Sequence, residues 1–392
     1  MLSVLSRACK SMTSAVKSAG LLVFAAALSA CVPTAGPSGN ASGRVQVALL
    51  VPGGSGQASD ELLARSLQNA ARLAIADLGP GAQVDLRVYN TAGQPAQAAS
   101  MAKQAVAEGA QVILGPVFAQ EANAAGVAVA GNGVSVLAFS NNPDIAGNNV
   151  FVLGPTFANT ANRLSSYAVR QGKSRILIAF DRNTAGELGR AAIERGVVAA
   201  GGTIVGSVGY EFSQNGVVAA APQIVSTGKA NGAQAIFTTA DSAGALPLVT
   251  QLVSEAGLKP SEIKYIGLTR WDIPAATLSL PGTQGGWFAM PDPALFAQYQ
   301  SRYQAAYAEA PHPISGLAYD GIAAIGALMK SAGTGPISKQ ALTQSAGFAG
   351  VTGVFRLRPD GLNDRGLAVA EVRNGQAVIV DAAPRSFGGT GF

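Results

Sequence analysis

Few residues in this chain are equipped for chemistry. Its one histidine, His312, lies in Pro311-His312-Pro313 between two predicted helices. A serine hydrolase needs its histidine held rigidly beside a serine, and no Gly-x-Ser-x-Gly elbow is present. The setting reads as a surface turn. Asp181 and Asp241 each follow a predicted strand. Such carboxylates can pair for proton transfer, but Asp after a strand more commonly caps a helix or shapes a turn. Gly54-x-Gly56-x-x-Ser59 approaches a dinucleotide fingerprint, yet the third glycine is missing and Asn90 stands where an acid would hold the ribose. No Gly-x-x-x-x-Gly-Lys-Ser/Thr occurs, which excludes a P-loop. Two cysteines, Cys9 and Cys31, with one histidine exclude a disulfide framework and a zinc site of the usual kind. The expectation is a non-catalytic protein with no metal and no cofactor.

The elements that would position a site alternate. Val45–Val51 reads as a buried strand, and Leu63, Leu67, Ala70, Ala74 and Leu78 fall at helical spacing ahead of Gly79. Strands at Val84–Tyr89, Gln111–Leu114, Val134–Phe139 and Val150–Leu153 alternate with helices at Ala96–Glu108 and Glu121–Ala130. The same grammar restarts after Pro155, with strands at Arg175–Phe180, Thr203–Val208, Gln234–Thr238 and Lys264–Leu268. Strands separated by helices call for a mostly parallel α/β sheet covered on both faces. Two tandem units are therefore expected. Long helices near Pro293–Glu309 and Ile314–Ser331 follow, then short strands, the last two joined by Asn374-Gly375, a hairpin signal.

Open α/β sheets bind ligands outside the carboxyl ends of their strands. Those ends supply Ser55, Phe118, Gln120, Ser140, Asn141, Asn142, Asp181, Asp241, Thr269, Arg270 and Trp271 as candidate ligand contacts. Amides, hydroxyls and a few charges form a binding inventory. The helix starts after Gly115 and Ser140 could present backbone N–H groups to a carboxylate. Trp271 and Trp287 fit a binding platform and a core position equally well.

The 392 residues are 48% apolar and 12% charged, enough to bury a large core and too apolar for a disordered chain. Of the net charge of +5, three units come from Arg7, Lys10 and Lys17, with no acid through Ala30. The near-neutral remainder has no basic run and gives no footprint for nucleic acid. Residues 1–30 read as a signal peptide, whose apolar run from Gly20 is shorter than the about 20 residues a bilayer needs. Leu28-Ser29-Ala30-Cys31 resembles a bacterial lipobox, which implies acylation of Cys31 and anchoring in a membrane. Val32, where an Asp would mark inner-membrane retention, implies the outer membrane on the periplasmic side. Residues 32–43, rich in Pro, Gly, Ser and Ala, complete a flexible tether over 31–43.

The body resembles the type I periplasmic-binding-protein fold of the leucine-binding kind. The resemblance rests on VALLVPGGSG (47–56), VILGPVFAQEANA (112–124), VLAFSNNPDIAG (136–147), RILIAFDRNTAGELGR (175–190) and GLAYDGIAAIGAL (316–328). YIGLTRWD (265–272), GGWFAMPDP (285–293), FAGVTGVFRLRPDG (348–361) and RGLAVAEV (365–372) resemble the penicillin-binding protein activator branch. The resemblance implies two lobes joined by three hinge crossings, near Gly154–Phe157, Trp287–Pro291 and Gly347–Gly350. Lobe 1 would be 44–156 plus 289–347, lobe 2 would be 157–288 plus 348–384, and 385–392 a frayed tail. It also implies that an amino-acid clamp would use positions Ala119, Ser140, Asn142, Ala185 and Thr269. Only Ser140 keeps the expected hydroxyl, and Thr269 replaces the acid that would hold an ammonium. The activator branch implies a lipid-anchored regulator of a class A penicillin-binding protein, a peptidoglycan synthase. The wider fold implies the alternative, a solute receptor of an ABC importer for amino acids or related small organic ligands.

Overall fold

The computed structural model describes residues 44–81, 83–332 and 337–387. The expected signal peptide, Cys31 and the expected tether lie outside these residues. Among the described residues, no helix is long and apolar enough to cross a membrane.

The chain opens with β1 (Val45–Val51), α1 (Ala58–Leu78), β2 (Val84–Asn90), α2 (Pro95–Ala107), β3 (Val112–Leu114), α3 (Ala119–Val129), β4 (Ser135–Ala138) and β5 (Val150–Val152). The strands form a parallel sheet of order β2-β1-β3-β4-β5. Every residue of β1 is buried, as a central strand covered on both faces requires. Gly115 follows β3 with φ 83°, and a Cβ there would lie 2.3 Å from the Leu50 carbonyl oxygen. Only glycine lets the chain turn this close over β1.

The second unit contains α4 (Phe157–Arg170), β6 (Arg175–Asp181), α5 (Thr184–Ala199), β7 (Thr203–Tyr210), α6 (Gln214–Ala230), β8 (Ala235–Thr238), α7 (Leu246–Glu255), β9 (Lys264–Gly267) and β10 (Trp287–Met290). After α8 (Pro293–Tyr307) and α9 (Gly316–Ala332) come β11 (Phe348–Gly350), β12 (Gly353–Leu357), β13 (Asn363–Arg365), β14 (Ala368–Arg373) and β15 (Gln376–Asp381). The second sheet runs β15-β14-β10-β9-β8-β6-β7; β6 through β10 are parallel, β14 is antiparallel to β10, and β15 is antiparallel to β14. Asn374 and Gly375 take φ of 51° and 74° in the β14–β15 turn, as the Asn-Gly pair predicts. The result is a two-lobed α/β fold with helices flanking mostly parallel sheets.

Two boundaries differ from expectation. Phe348, Val351, Phe355 and Leu357, expected in lobe 2, pack in one core with β1, α1 and α9. The third crossing therefore falls at Gly366-Leu367, between β13 and β14. Trp287–Met290, read as a crossing, is a strand hydrogen-bonded to β9 and β14, so the second crossing begins at Pro291. Of the expected tail, Phe387 lies under the Arg356 guanidinium, 4.8 Å from its ring centre, and 388–392 fall outside the described residues.

The crossings are tied by buried polar groups. Arg365 Nε donates to the Leu153 carbonyl at 3.1 Å, and its Nη1 donates to Thr352 Oγ1 at 2.7 Å. Asp320 on α9 accepts from the Val351 N–H at 2.8 Å and from the Thr352 hydroxyl, and faces Arg365 Nη1 at 3.5 Å. Asn363 donates to the Val152 and Gly154 carbonyls at 2.7 and 2.9 Å. A Thr156–Asn159 capping box starts α4 directly after the first crossing.

Candidate ligand-binding site

The strand ends of both sheets carry most of the expected residues, and the structure shows what each is already doing. In the first lobe, Ser55 Oγ accepts from the Gln57 N–H at 3.1 Å, and the Gly54 N–H donates to Glu61 Oε1 at 2.6 Å. Phe118 is the N-cap residue of α3, has no side-chain cap, and is 40% exposed. Gln120 and Asn141 are exposed. Ser140 is buried and its Oγ accepts from the Asn142 N–H at 3.1 Å. Asn142 in turn accepts from the Asp144 N–H at 2.9 Å. These are loop-shaping bonds, but the Ser140 hydroxyl keeps its own proton to donate.

In the second lobe, Asp181 is buried at the end of β6. Thr239 Oγ1 accepts from the Asp181 N–H and donates to Asp181 Oδ2, both at 3.1 Å. Asp181 Oδ1 and the hydroxyl of neighbouring Tyr210 are both buried and lie close enough to interact with each other, though not in ideal hydrogen-bond geometry. Burial pushes the Asp181 carboxyl above its ordinary range, and the nearby negative charge of Asp241 adds to this. Tyr210 is raised by the same burial and by Asp181. Asp241 itself is exposed, and its backbone carbonyl accepts from the Gly244 and Leu246 N–H groups. Asp181 and Asp241 thus sit in different environments, one buried and one in a solvated turn. Thr269 donates to the Ala240 carbonyl at 3.3 Å. Arg270 is clamped bidentately by Asp272.

Trp271, expected as a cleft contact, belongs to the core. It has no exposed surface and lies 6.1 Å from Phe288, ring centre to ring centre. A Cβ at Gly267 or Gly286 would lie 2.2 or 2.4 Å from the indole, so two glycines make its slot. Trp287 is core as well, its Nε1 donating to Glu371 at 2.8 Å with Lys264 Nζ over the ring. His312 is half-buried; its backbone N–H donates to Ser66 Oγ at 2.7 Å, and burial lowers its pKa.

Glu121 was not among the expected contacts. It lies in the first turn of α3 with no exposed surface, and neither carboxyl oxygen has a partner within hydrogen-bond geometry. Burial raises its pKa. The readable signal was its place three residues after Phe118, where an acid faces the helix start; its burial was not readable. A raised folded-state pKa contributes stability that is present below the unfolded value and lost as pH rises through the folded one. Glu121→Gln removes this dependence. The variant should match the parent near about pH 4 and exceed it near about pH 8. Melting curves at both pH values check this, and a difference that does not grow with pH contradicts it.

The arrangement supplies hydroxyls, amides, backbone N–H groups and a buried carboxyl held towards its neutral form. It can grip a ligand by hydrogen bonds. Among the described residues, no group of three or more His, Cys, Asp or Glu side chains is placed to hold a metal.

Known proteins with this architecture are numerous. A chain described as a branched-chain amino acid ABC transporter of Rhodospirillum rubrum superposes with a TM-score of 0.73 at 18% identity, covering 86% of this chain and 100% of that one. An ABC transporter substrate-binding protein of Desulfitobacterium hafniense in complex with Leu gives 0.63 at 20% identity, covering 86% and 100%. A solute-binding protein of Rhodopseudomonas palustris BisB5 in complex with 3,4-dihydroxybenzoic acid gives 0.57 at 19% identity, covering 88% and 99%. No curated protein sequence matches the chain. The family model described as periplasmic binding protein matches residues 44–377. The chain belongs to the periplasmic binding protein family.

Proposed function

We propose that this protein is a non-catalytic periplasmic receptor that binds an amino acid or a related small organic ligand between its lobes and serves an ABC importer. The observation that carries the reading is Asp181. It is a buried carboxyl seated at the strand ends where an open α/β sheet takes its ligand, an acceptor for a ligand N–H or O–H. Ser140 faces the same role from the first sheet. The solved structures of similar fold, described as ABC transporter proteins, two of them in complex with leucine or 3,4-dihydroxybenzoic acid, support a ligand of that size. An α-amino group is not required of the ligand, because Ala119, Ala185 and Thr269 lack the groups of an amino-acid clamp. Acylation of Cys31 would hold the receptor at the periplasmic face; service to an importer requires the inner membrane, whereas the outer membrane that Val32 implies suits the second reading below. The remaining candidate contacts are Ser55, Phe118, Gln120, Asn141, Asn142, Asp241, Thr269 and Arg270, at the other strand ends.

A thermal-shift screen of the purified protein against amino acids, aromatic acids, amides and muropeptides tests this. A ligand at about 100 times its Kd adds about 2.7 kcal/mol of stability. At least one of these compounds should raise Tm by several degrees, and Ser140→Ala should reduce the shift. A screen with no hit contradicts the receptor reading.

The second reading is a regulator of a class A penicillin-binding protein. The same vacated clamp positions favour it, together with the sequence stretches 265–272 and 348–361. It predicts faster glycan polymerisation and crosslinking by the cognate synthase at micromolar protein; no binding and no stimulation removes it.

A further inference from the structure

The second sheet ends on β7, and among the described residues no strand pairs with its outer edge. An uncovered edge is a template for another strand, and proteins blunt such edges with charges, prolines or a covering segment. The other outer strands show these devices. β2 carries Asp85 and Arg87, ion-paired at 3.1 Å. Beside β5 runs the chain at Gly361, whose carbonyl accepts from the Val152 N–H at 2.8 Å. The turn Ala275–Ser279 packs on β15, which ends in Asp381 under Arg163 and Arg170. β7, Thr-Ile-Val-Gly-Ser-Val-Gly-Tyr, has neither a charge nor a proline.

The outward groups of β7 follow from its bonds to β6. The Tyr210 carbonyl accepts from the Arg182 N–H at 2.8 Å, so Tyr210 faces β6. Alternation turns Val208 and Gly206 to β6 as well, and the N–H and C=O of Ser207 and Gly209 outward. The Val205 carbonyl, outward by the same alternation, is held by Asn231 Nδ2 at 2.7 Å. Ser207 is exposed and Gly209 has no side chain, so neither screens the edge. Apolar surface flanks the strand at both ends. Val198, at the end of α5, is 68% exposed, and Phe212, just beyond β7, is 58% exposed.

We propose that β7 is a dimerisation edge, on which a second copy of this chain lays its own β7 antiparallel, with the two-fold axis at Val208. In that register Ser207 opposes the partner's Gly209 and Gly209 opposes the partner's Ser207, so the free groups satisfy one another in both directions. The charges beside the edge are self-complementary in the same register. The partner's Glu211 falls opposite Val205, next to Arg175. The Arg175 guanidinium is exposed and donates to the Gly232 and Asn231 carbonyls at 3.1 and 2.5 Å, with no carboxylate partner among the described residues. Glu211 is exposed and meets only Arg182, at 3.6 Å. A parallel pairing would set Glu211 against Glu211. The pairing runs along the side of the sheet, so it neither needs nor fills the strand-end ligand site.

Sedimentation of the full protein without ligand should show a monomer–dimer equilibrium with a Kd in the micromolar range, as a small edge interface allows. Ser207→Lys, at an exposed position, brings two ammonium groups to the two-fold axis and should raise that Kd at least about tenfold. Glu211→Arg should weaken association about tenfold by setting like charges together. Combining it with Arg175→Glu should restore association, which a merely structural effect of either change would not do. These charge variants carry the test should the lysine variant not fold. A monomer at every concentration up to about 100 μM, a dimer indifferent to both single variants, or a charge swap as weak as Glu211→Arg alone overturns the proposal. None of these outcomes depends on the strand-end ligand.

Discussion

Arg365→Met is expected to lower the free energy of unfolding by about 3–5 kcal/mol, the usual consequence of removing one partner from a buried ion pair. Arg365 and Asp320 have side-chain exposures of only 3% and 0%. Without the guanidinium, Asp320 keeps its backbone and hydroxyl donors but no counter-charge, and the Leu153 carbonyl loses its donor. Burial already pushes the Asp320 carboxyl up against the pull of Arg365 and the surrounding donors. The double variant Asp320→Leu with Arg365→Met should recover most of the loss, because exchanging a whole buried pair for apolar groups is commonly close to neutral. Urea midpoints of the parent, both single variants and the double give the coupling directly. A double variant no more stable than Arg365→Met alone would mean that the network acts through its hydrogen bonds to Leu153 and Thr352 and not through charge pairing.

The second large effect concerns Trp271. Trp271→Ala should cost about 3–5 kcal/mol, because a large side chain leaves a cavity that Gly267 and Gly286 cannot fill. A tryptophan serving as a ligand platform would behave otherwise, with ligand affinity falling while the unfolding midpoint stays put. Denaturation and ligand titration of the one variant separate the two outcomes.

These two sites also mark how far the residues could be read without coordinates. The repeated strand–helix grammar was legible, because β1 is apolar apart from Gln46, β6 is apolar between Arg175 and Asp181, and α1 has helical spacing. The Asn374-Gly375 turn was legible for a local reason, since few other pairs accept two positive φ values. Long-range pairing was not. β10 is four residues ending beside Pro291, and its identity as a strand depends on β9 and β14, far apart in sequence. The segment 348–357 joins the first core because Phe348 and Phe355 pack among α1 and α9 residues, which no local pattern encodes. In the site, residue types were readable but partners were not. Asp181 ends β6, whereas its bond to Thr239 and its approach to Tyr210 depend on how β6, β7 and β8 line up. Tyr210 was missed because β7 seemed to end at Val208 before two further residues extended it.

Hydrogen exchange measured with and without the best ligand from the thermal screen tests the receptor reading most directly. Binding between the strand ends of both sheets predicts simultaneous protection of 140–142 in the first lobe and 239–242 in the second. Protection of neither segment, or of an outer helical face alone, contradicts it.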